Sequence, residues 1–429
     1  MTILILFGVF AVLLLIGMPI AFAIGIASAA AAINIFVIDN ATIVQRMLVG
    51  INSFPLLAVI FFVFTGVLMA RGGVAMRLVR LSEVVVGRLP GGLAQINVLS
   101  SMMFGGVSGS AVADVSSIGA TLIPAMEKAG YTKRYATAVT LTSATMGPII
   151  PPSIPMILYA YVVGSVSVAG LFLAGLIPGI LIGVGLLIAC YVHGRMYHDQ
   201  PIPPMSGKEK LVRIADGLAG MLTLVIILGG ITSGIFTATE AGAVAAVYAL
   251  FLTVVVYREI KLAELPAILW ECCLTNAVVL FLIATTSVFT FIMTYENVPQ
   301  WLADHLFAVI DNRWLLLLVI NLLLLFIGLF IDLTPAVIMM VPILLPIAQR
   351  LDMDLIHLGI IVVVNLTFGL ITPPVGTSLF VGCRVAGISM TELIPPMLPL
   401  LAIMFGVLLF VTYVPESFMW LPRTFGFAR

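Results

Sequence analysis

Stretches such as Leu315–Phe330, apolar from end to end, decide the solvent in which this chain folds. Hydrophobic residues make up 62% of its 429 positions and charged ones 9%, whereas a soluble domain carries about 25% charged residues. The mean hydropathy is +1.25. So few charges cannot clothe a water-facing surface of this size, which excludes a cytosolic enzyme. The balance of 19 Lys+Arg against 19 Asp+Glu excludes a basic nucleic-acid-binding face. Membrane β-barrels alternate apolar and polar residues over segments of about 10, unlike the continuous runs here. The fold class is an all-α polytopic membrane protein. Met1–Phe36 lacks a basic leader and reads as membrane span rather than as a cleavable signal.

Cys190, Cys272, Cys273 and Cys383 form no CxxC pair and sit in apolar surroundings, as small buried hydrophobes do. His193, His198, His305 and His357 are scattered, without the spacing of a zinc site.

Loop charge orients the chain. Four basic loops are assigned to the cytoplasm: Arg71, Arg77, Arg80 and Arg88; Lys128, Lys133 and Arg134; His193–Arg213, with Arg195, Lys208 and Lys210; and Arg258 with Lys261. The acidic stretch Glu296–Arg313 and Leu351–Asp354 are assigned outside. Residues 91–127 then leave and re-enter the cytoplasmic face, and 313–350 leave and re-enter the outer face. Each accommodates two helices of about 15 residues, or roughly 22 Å, short of a ~30 Å hydrocarbon core. These read as re-entrant hairpins entering from opposite sides, with tips at Phe104–Ser110 and Gly328–Pro335. Irregular backbone at membrane depth is tolerated only when buried in protein or lining a cavity.

An interrupted helix follows each hairpin. The breaks read Ser143-Ala-Thr-Met-Gly-Pro-Ile-Ile-Pro-Pro-Ser153 and Asn365-Leu-Thr-Phe-Gly-Leu-Ile-Thr-Pro-Pro-Val375. Proline inside a helix removes a hydrogen bond and clashes with the preceding turn. One offset of 222 relates Gly106 to Gly328, Pro124 to Pro346, Thr145 to Thr367, Gly147 to Gly369 and Pro151 to Pro373. After a small deletion the offset is 217, pairing Val168-Ala-Gly with Val385-Ala-Gly and Leu176-Ile-Pro with Leu393-Ile-Pro. Two copies of opposite orientation make an inverted-topology repeat with paired broken helices, the sequence signature of a secondary transporter.

The other spans are read as 2–16, 18–38, 52–70, 168–192, 216–236, 238–257, 266–295 and 391–414. Gly17-Met-Pro19 marks either a very tight turn or a kink, so the side of the N-terminus stays open. Gly72–Arg88 and Lys261–Leu265 read as amphipathic pieces on the cytoplasmic surface, and Val298–Val309 as an outer counterpart.

Sodium is a hard cation that takes oxygen ligands. The first hairpin and break offer Ser108, Ser110, Ser143, Thr145 and Gly147; the second offer Gly328, Asp332, Thr334, Asn365, Thr367, Gly369 and Thr372. A lone hydroxyl in a helix usually bonds back to its own backbone, but here the hydroxyls recur at matched repeat positions. Asp114 and Asp332 are ionisable groups inside membrane hairpins, costly unless functional. The residue 222 positions before Asp332 is Ser110, so the two sites are not chemically identical. Helix N-termini aimed inward suit an anionic substrate, with Asp114, Ser116, Ser117, Ser153, Thr377 and Ser378 nearby. Arg384 either pairs with a substrate carboxylate or snorkels to the cytoplasmic face.

Other classes fit less well. Gly106-Val-Ser-Gly109 has the GxSG shape of an intramembrane serine protease, but no histidine lies inside a predicted span. Neither aspartate sits in a GxGD motif. Two closed hairpins favour alternating access over a continuous channel. A proton-coupled transporter or antiporter of the same fold remains an alternative.

The chain resembles the large membrane subunit of the tripartite ATP-independent periplasmic (TRAP) transporters. The motifs that carry the resemblance are Gly17-Met-Pro-Ile-Ala-Phe22, Gly105-Gly-Val-Ser-Gly-Ser-Ala111, Ile123-Pro-Ala-Met-Glu-Lys-Ala-Gly-Tyr131, Ile149-Ile-Pro-Pro-Ser153, Gly234-Ile-Phe-Thr-Ala-Thr-Glu-Ala241 and Thr372-Pro-Pro-Val-Gly376. It extends from near residue 1 to about 415. Ala238 stands where the family commonly has proline, a small departure in a scaffold loop. The resemblance implies an ion-transporter-superfamily fold with an elevator-type scaffold and transport domain, and import driven by sodium ions rather than enzymatic chemistry. It implies a small four-helix membrane subunit and a periplasmic substrate-binding protein as partners. The substrate would be a small anion, a sialic acid or C4-dicarboxylate, and the site a bacterial inner membrane. On this reading 1–90 and 166–312 hold scaffold and arm helices, 91–165 and 313–386 the transport domain, and 387–429 a C-terminal span and tail. Glu240 is then a helix N-terminal charge.

Overall fold

Gly17 settles how the chain begins. In the computed structural model, which describes residues 1–33, 35, 39–197, 205–373 and 376–428, α1 (Thr2–Leu15) and α2 (Ile20–Ala32) pack against each other. Gly17 takes φ +85°, and Gly17 N and Met18 N close on Leu14 O at 2.9 Å and Leu13 O at 3.0 Å. This paired capping pattern needs a left-handed residue, so the tight turn is made and the kink is not. Much of the far end of the span expected at 18–38 lies outside the described residues.

The expected span 52–70 is α4 (Leu56–Arg71), joined at a 57° bend to a helix the sequence reading left unassigned, α3 (Asn40–Ile51). Asp39 starts α3 by accepting from Thr42 N at 2.7 Å, and Pro55 begins the turn that leads into α4. The amphipathic segment before the first hairpin is α5 (Val74–Val86), packed on its apolar face.

The first hairpin has legs α6 (Gly92–Ser108) and α7–α8 (Ala111–Asp114 and Ala120–Lys128, joined by a π-turn at Val115–Gly119). The first interrupted helix is α9 (Lys133–Ala144) and α10 (Ile154–Val163). Long helices follow: α11 (Val168–Tyr197), α12 (Gly207–Thr232), α13 (Ala238–Phe251, continued by a π-turn at Leu252–Val256) and α14 (Leu265–Tyr295). The outer amphipathic helix is α15 (Val298–Val309). The second hairpin is α16 (Arg313–Gly328) and α17 (Leu333–Arg350), and the second interrupted helix is α18 (Leu355–Gly369) and α19 (Thr377–Ala386). The chain closes with α20 (Met390–Tyr413) and a short α21 (Glu416–Thr424), the latter also unassigned from sequence. Among the described residues six helices are long and apolar enough to span a membrane, or seven counting the bent α3–α4 pair.

The repeat is visible in the boundaries. Adding 222 to Ala111, Lys128 and Lys133 gives Leu333, Arg350 and Leu355, the two ends of α17 and the start of α18. The hairpin legs are somewhat longer than expected, 17 residues for α6, 16 for α16 and 18 for α17. The legs α6 and α17 are therefore about 26 and 27 Å long, still short of a ~30 Å hydrocarbon core, although α17 is itself one of the six helices counted as long and apolar enough to span.

Packing exchanges the two halves. The arm α2 lies on α14 and α13 lies on α4. The second part of each interrupted helix packs on the other hairpin, α10 on α17 and α19 on the π-turn of the first hairpin. Tyr159 on α10 donates to Leu355 O at 2.6 Å, tying the halves together. Around this centre, α11 packs on α6 and α18, and α20 on α9 and α18.

Candidate functional site

Each hairpin tip crosses the broken helix behind it on glycine. At the first tip, Gly109 ends α6 with φ +62° and its N–H bonds to Gly105 O at 3.0 Å. Ser110 then caps α7, accepting from Ala113 N at 3.3 Å. A Cβ on Gly105 would stand 2.8 Å from Gly147 Cα, and one on Gly147 would stand 3.2 Å from the carbonyl carbon of Ser110. Only hydrogen fits between these backbones. The break 145–153 is buried throughout, which is where irregular backbone at this depth is tolerated.

At the second tip, a Cβ on Gly369 would lie 2.6 Å from the carbonyl of Gly328. Asp332 begins α17 at the position equivalent to Ser110. Its side chain does not close on its own helix. Instead Asp332 Oδ1 accepts from the Thr377 hydroxyl at 2.9 Å, across to the first residue of α19. Pro374 and Val375 of the Thr372–Gly376 motif lie outside the described residues.

The nominated oxygens fall into two groups about these crossings. Ser108 and Ser110 sit on the first tip, where the Ser110 N–H approaches Ser108 Oγ at 3.4 Å. Thr145 lies in the break beside Gly147 and donates to Thr142 O at 2.6 Å. Thr367 and Thr372 donate to Val363 O at 2.6 Å and Phe368 O at 2.7 Å. A hydroxyl that gives its proton to a carbonyl keeps lone pairs for a cation. Thr334 occupies the first turn of α17.

Ser143 and Asn365 have a different part. Ser143 Oγ bonds to Ser101 Oγ at 3.1 Å, and Asn365 Nδ2 bonds to Asn321 Oδ1 at 2.8 Å and Asn321 O at 2.9 Å. Both fasten the broken helix to the first leg of its hairpin. Asn97 adds a bond to Thr140 Oγ1 at 2.7 Å, and Asn321 one to Thr412 Oγ1 at 3.2 Å on α20. Asn97, Ser101 and Asn321 were missed from sequence. Their signal is a polar residue within an otherwise apolar hairpin leg.

The residues nominated for substrate do not gather at one place. Asp114 is fully buried; Oδ1 accepts from Ser101 at 3.2 Å and Oδ2 has no partner among the described residues. In this conformation it is sealed behind the tip. Ser116 is exposed and bonds back to Val112 O at 2.8 Å, with Ser117 half-buried beside it. Ser153 caps α10, donating to Pro148 O and accepting from Met156 N at 3.3 Å. Thr377 and Ser378 begin α19, and the buried Ser378 Oγ has no partner among the described residues. Arg384 is exposed in the last turn of α19, about 10 Å along the axis from Thr377.

At each crossing two helix C-termini converge, those of α6 and α9 at the first and of α16 and α18 at the second. A helix C-terminus carries about −0.5 of a charge. Two such ends with hydroxyl and carbonyl oxygens suit a hard cation, and the second adds a carboxylate. The N-termini of α10 and α19 follow the breaks. Pro155 has no N–H, however, and Met156 N bonds to Ser153 Oγ. Ser378 N and Leu379 N bond to Leu370 O and Gly376 O at 3.0 Å, so few first-turn donors are left for an anion. Glu240 is a capping partner, its carboxylate accepting from Thr237 N at 2.8 Å.

Similarity to known proteins agrees with this arrangement. A family model described as "Tripartite ATP-independent periplasmic transporter, DctM component" matches residues 7–417. The sialic acid TRAP transporter large permease protein SiaM of Vibrio cholerae is 39% identical over 417 residues, 96% of each chain. The C4-dicarboxylate TRAP transporter large permease protein DctM of Pseudomonas aeruginosa is 40% identical over 375 residues, 87% of this chain and 88% of that one. Among solved structures, the YdaH transporter of Alcanivorax borkumensis aligns at a TM-score of 0.62 with 17% identity, covering 96% of this chain and 98% of the other. That likeness concerns the fold.

Proposed function

The chain belongs to the DctM-component family of the tripartite ATP-independent periplasmic transporters, and from that membership we propose that it imports a carboxylate-bearing solute across a bacterial inner membrane, driven by sodium, by an elevator movement. The protein is a multi-pass membrane component of a transporter, not an enzyme. The observation that carries the proposal is the pair of glycine crossings, Gly105 with Gly147 and Gly328 with Gly369. Each gathers carbonyl-ended helices and hydroxyls into one oxygen-rich place; the repeat relates Gly147 to Gly369, while the tip glycine Gly105 stands one position before Gly106, the 222-offset partner of Gly328. Sodium would be held at the first by Ser108, Ser110, Thr145 and backbone carbonyls, and at the second by Asp332, Thr334, Thr367 and Thr372. Filling both would fix the tips and complete the anion pocket between the starts of α10 and α19.

On the elevator reading the hairpins and broken helices move as one body. Of these elements, α4 packs on α6 and α10, both of the first repeat, and α14 packs on α17 of the second, whereas α11 and α20 each pack on both repeats, on α6 or α9 of the first and α18 of the second. We therefore place α11 and α20 with that body, which takes α11 out of the scaffold expected at 166–312, while α2, α4, α13 and α14 form the frame. A small four-helix membrane subunit would brace the frame, and a periplasmic binding protein would deliver the solute. The names of the relatives point to a sialic acid or a C4-dicarboxylate.

The test is uptake into proteoliposomes holding this chain with its small membrane subunit, with loaded binding protein outside. An inward sodium gradient should drive accumulation of N-acetylneuraminate or succinate, and potassium should not replace it. Accumulation under a proton gradient with no sodium would overturn the coupling assignment. Asp114, buried with one unpartnered oxygen, is the observation that favours that proton-coupled reading.

A further inference from the structure

On the outer side of the molecule a cleft of about 500 Å³ separates the arm helices from the second hairpin. Its polar wall comes from α3 and α14: Arg46, Ser287, Thr290 and Thr294. The three α14 positions fall on one helix face. The opposite wall is the apolar face of α17, from Ile338 to Pro346. Its outer position follows from the ends of these helices, since α14 runs out to Glu296 and α17 to Arg350, both next to loops placed outside by charge.

Arg46 gives the cleft its chemistry. Its guanidinium lies 4.1 Å from the ring centroid of Phe291, a stacking that orients the cation and leaves its edge donors free. Among the described residues no carboxylate comes within ion-pair distance of it, as is also true of Arg80, Arg88, Arg313 and Arg384. A guanidinium fork matches a carboxylate in two parallel hydrogen bonds, and Ser287 and Thr294, which donate to Ile283 O and Thr290 O at 2.8 Å, keep lone pairs to accept from hydroxyl groups of the solute. The volume falls in the range of small-molecule sites. Ile338, the lining residue of α17 nearest the tip, is six residues from Asp332, about 9 Å along the helix. Tyr161 on α10 donates to Gly50 O on α3 at the cleft wall.

We propose that this cleft is an outer receiving site for the anionic solute, in which Arg46 takes the carboxylate before it reaches the hairpin tips. The proposal rests on the reading of the chain as a carboxylate importer, and its test does not depend on transport. With Cys273 and Cys383 replaced by serine, Thr290→Cys in the complex with the small membrane subunit, reconstituted in proteoliposomes, is labelled from outside with an anionic or a cationic thiosulfonate of similar size. The anionic reagent should react several-fold faster than the cationic one. Succinate or N-acetylneuraminate in the medium should slow it. Arg46→Gln should abolish the preference and the protection, while Arg46→Lys keeps the preference. No labelling from outside, or a preference unchanged by Arg46→Gln, or one lost equally in Arg46→Lys, would overturn the proposal. A complex that fails to import any solute yet shows the Arg46-dependent preference would count against the importer reading and leave the anion-selective cleft standing.

Discussion

The Thr377 hydroxyl donates to Asp332 Oδ1 across 2.9 Å, joining the tip of the second hairpin to the restart of the second broken helix. One bond thus links the carboxylate of the second tip to the helix N-terminus on which an anion would rest. A cation held by Asp332 would therefore be felt at the substrate position through a single side chain.

Asp332→Ala should accordingly raise the sodium concentration for half-maximal uptake by tenfold or more, the factor that corresponds to about 1.4 kcal/mol. Thr377→Val, which keeps the carboxylate and removes its donor, should have a smaller effect on sodium and a larger one on solute. Sodium titrations of uptake at fixed solute, and solute titrations at fixed sodium, separate the two. An unchanged sodium dependence in Asp332→Ala would remove Asp332 from the ion site.

The glycine crossings give a prediction by size alone. Gly369→Ala puts a methyl group 2.6 Å from the Gly328 carbonyl, and Gly105→Ala puts one 2.8 Å from Gly147 Cα. Both contacts are backbone and cannot rotate away. Each substitution should cost about 1–3 kcal/mol, the usual range for overpacking, and stop transport. Gly406→Ala, with nothing within 4 Å of the new atom and inside helix α20, should leave transport intact and stabilise slightly, by up to about 1 kcal/mol. Thermal unfolding in detergent and uptake should rank the three variants in that way.

Much of this arrangement was legible before any coordinates. Glycine, proline and loop charge located both hairpins and both breaks, because those residues act locally on the backbone. The 222 offset brought Ser110 and Asp332 to equivalent places, and the structure puts both at the N-cap position of a hairpin helix, where Ser110 caps its own helix and Asp332 turns to Thr377 instead. The role of Ser143 and Asn365 was not legible, since which way a helical side chain points, and onto which neighbour, is set by packing. Arg46 was missed because α3 is short and amphipathic, with no long apolar run to announce it. The distance of Arg384 from the break follows from α19 being a regular helix, which places position 384 two turns beyond Thr377.

The ties between broken helices and hairpin legs should be unequal. Asn365→Ala removes two bonds to Asn321 and leaves the buried Asn321 Oδ1 without its donor, while Asn321 O keeps its helical bond within α16. That should cost about 1–3 kcal/mol, the range for an unsatisfied buried polar group. Ser143→Ala removes one bond to Ser101, which still donates to Asp114, and should cost about 1 kcal/mol. Denaturation midpoints of the two variants, with equal transition steepness, would check the order. A larger loss in Ser143→Ala would mean that the first hairpin, not the second, depends more on its tie.

Ion binding itself should be measurable without a solute. A ligand that binds only the folded protein stabilises it by RT ln(1 + [L]/Kd), about 2.7 kcal/mol at a hundredfold excess over Kd. Sodium should therefore raise the melting temperature of the complex of this chain with its small membrane subunit, with potassium and choline inactive at the same ionic strength. If both crossings bind sodium, Asp332→Ala should remove part of the rise and Thr145→Val another part, because the two lie at different crossings. In the double variant the rise should vanish. A full rise in the double variant would place the bound sodium elsewhere, and a rise with potassium as large as with sodium would assign the effect to general screening of charge.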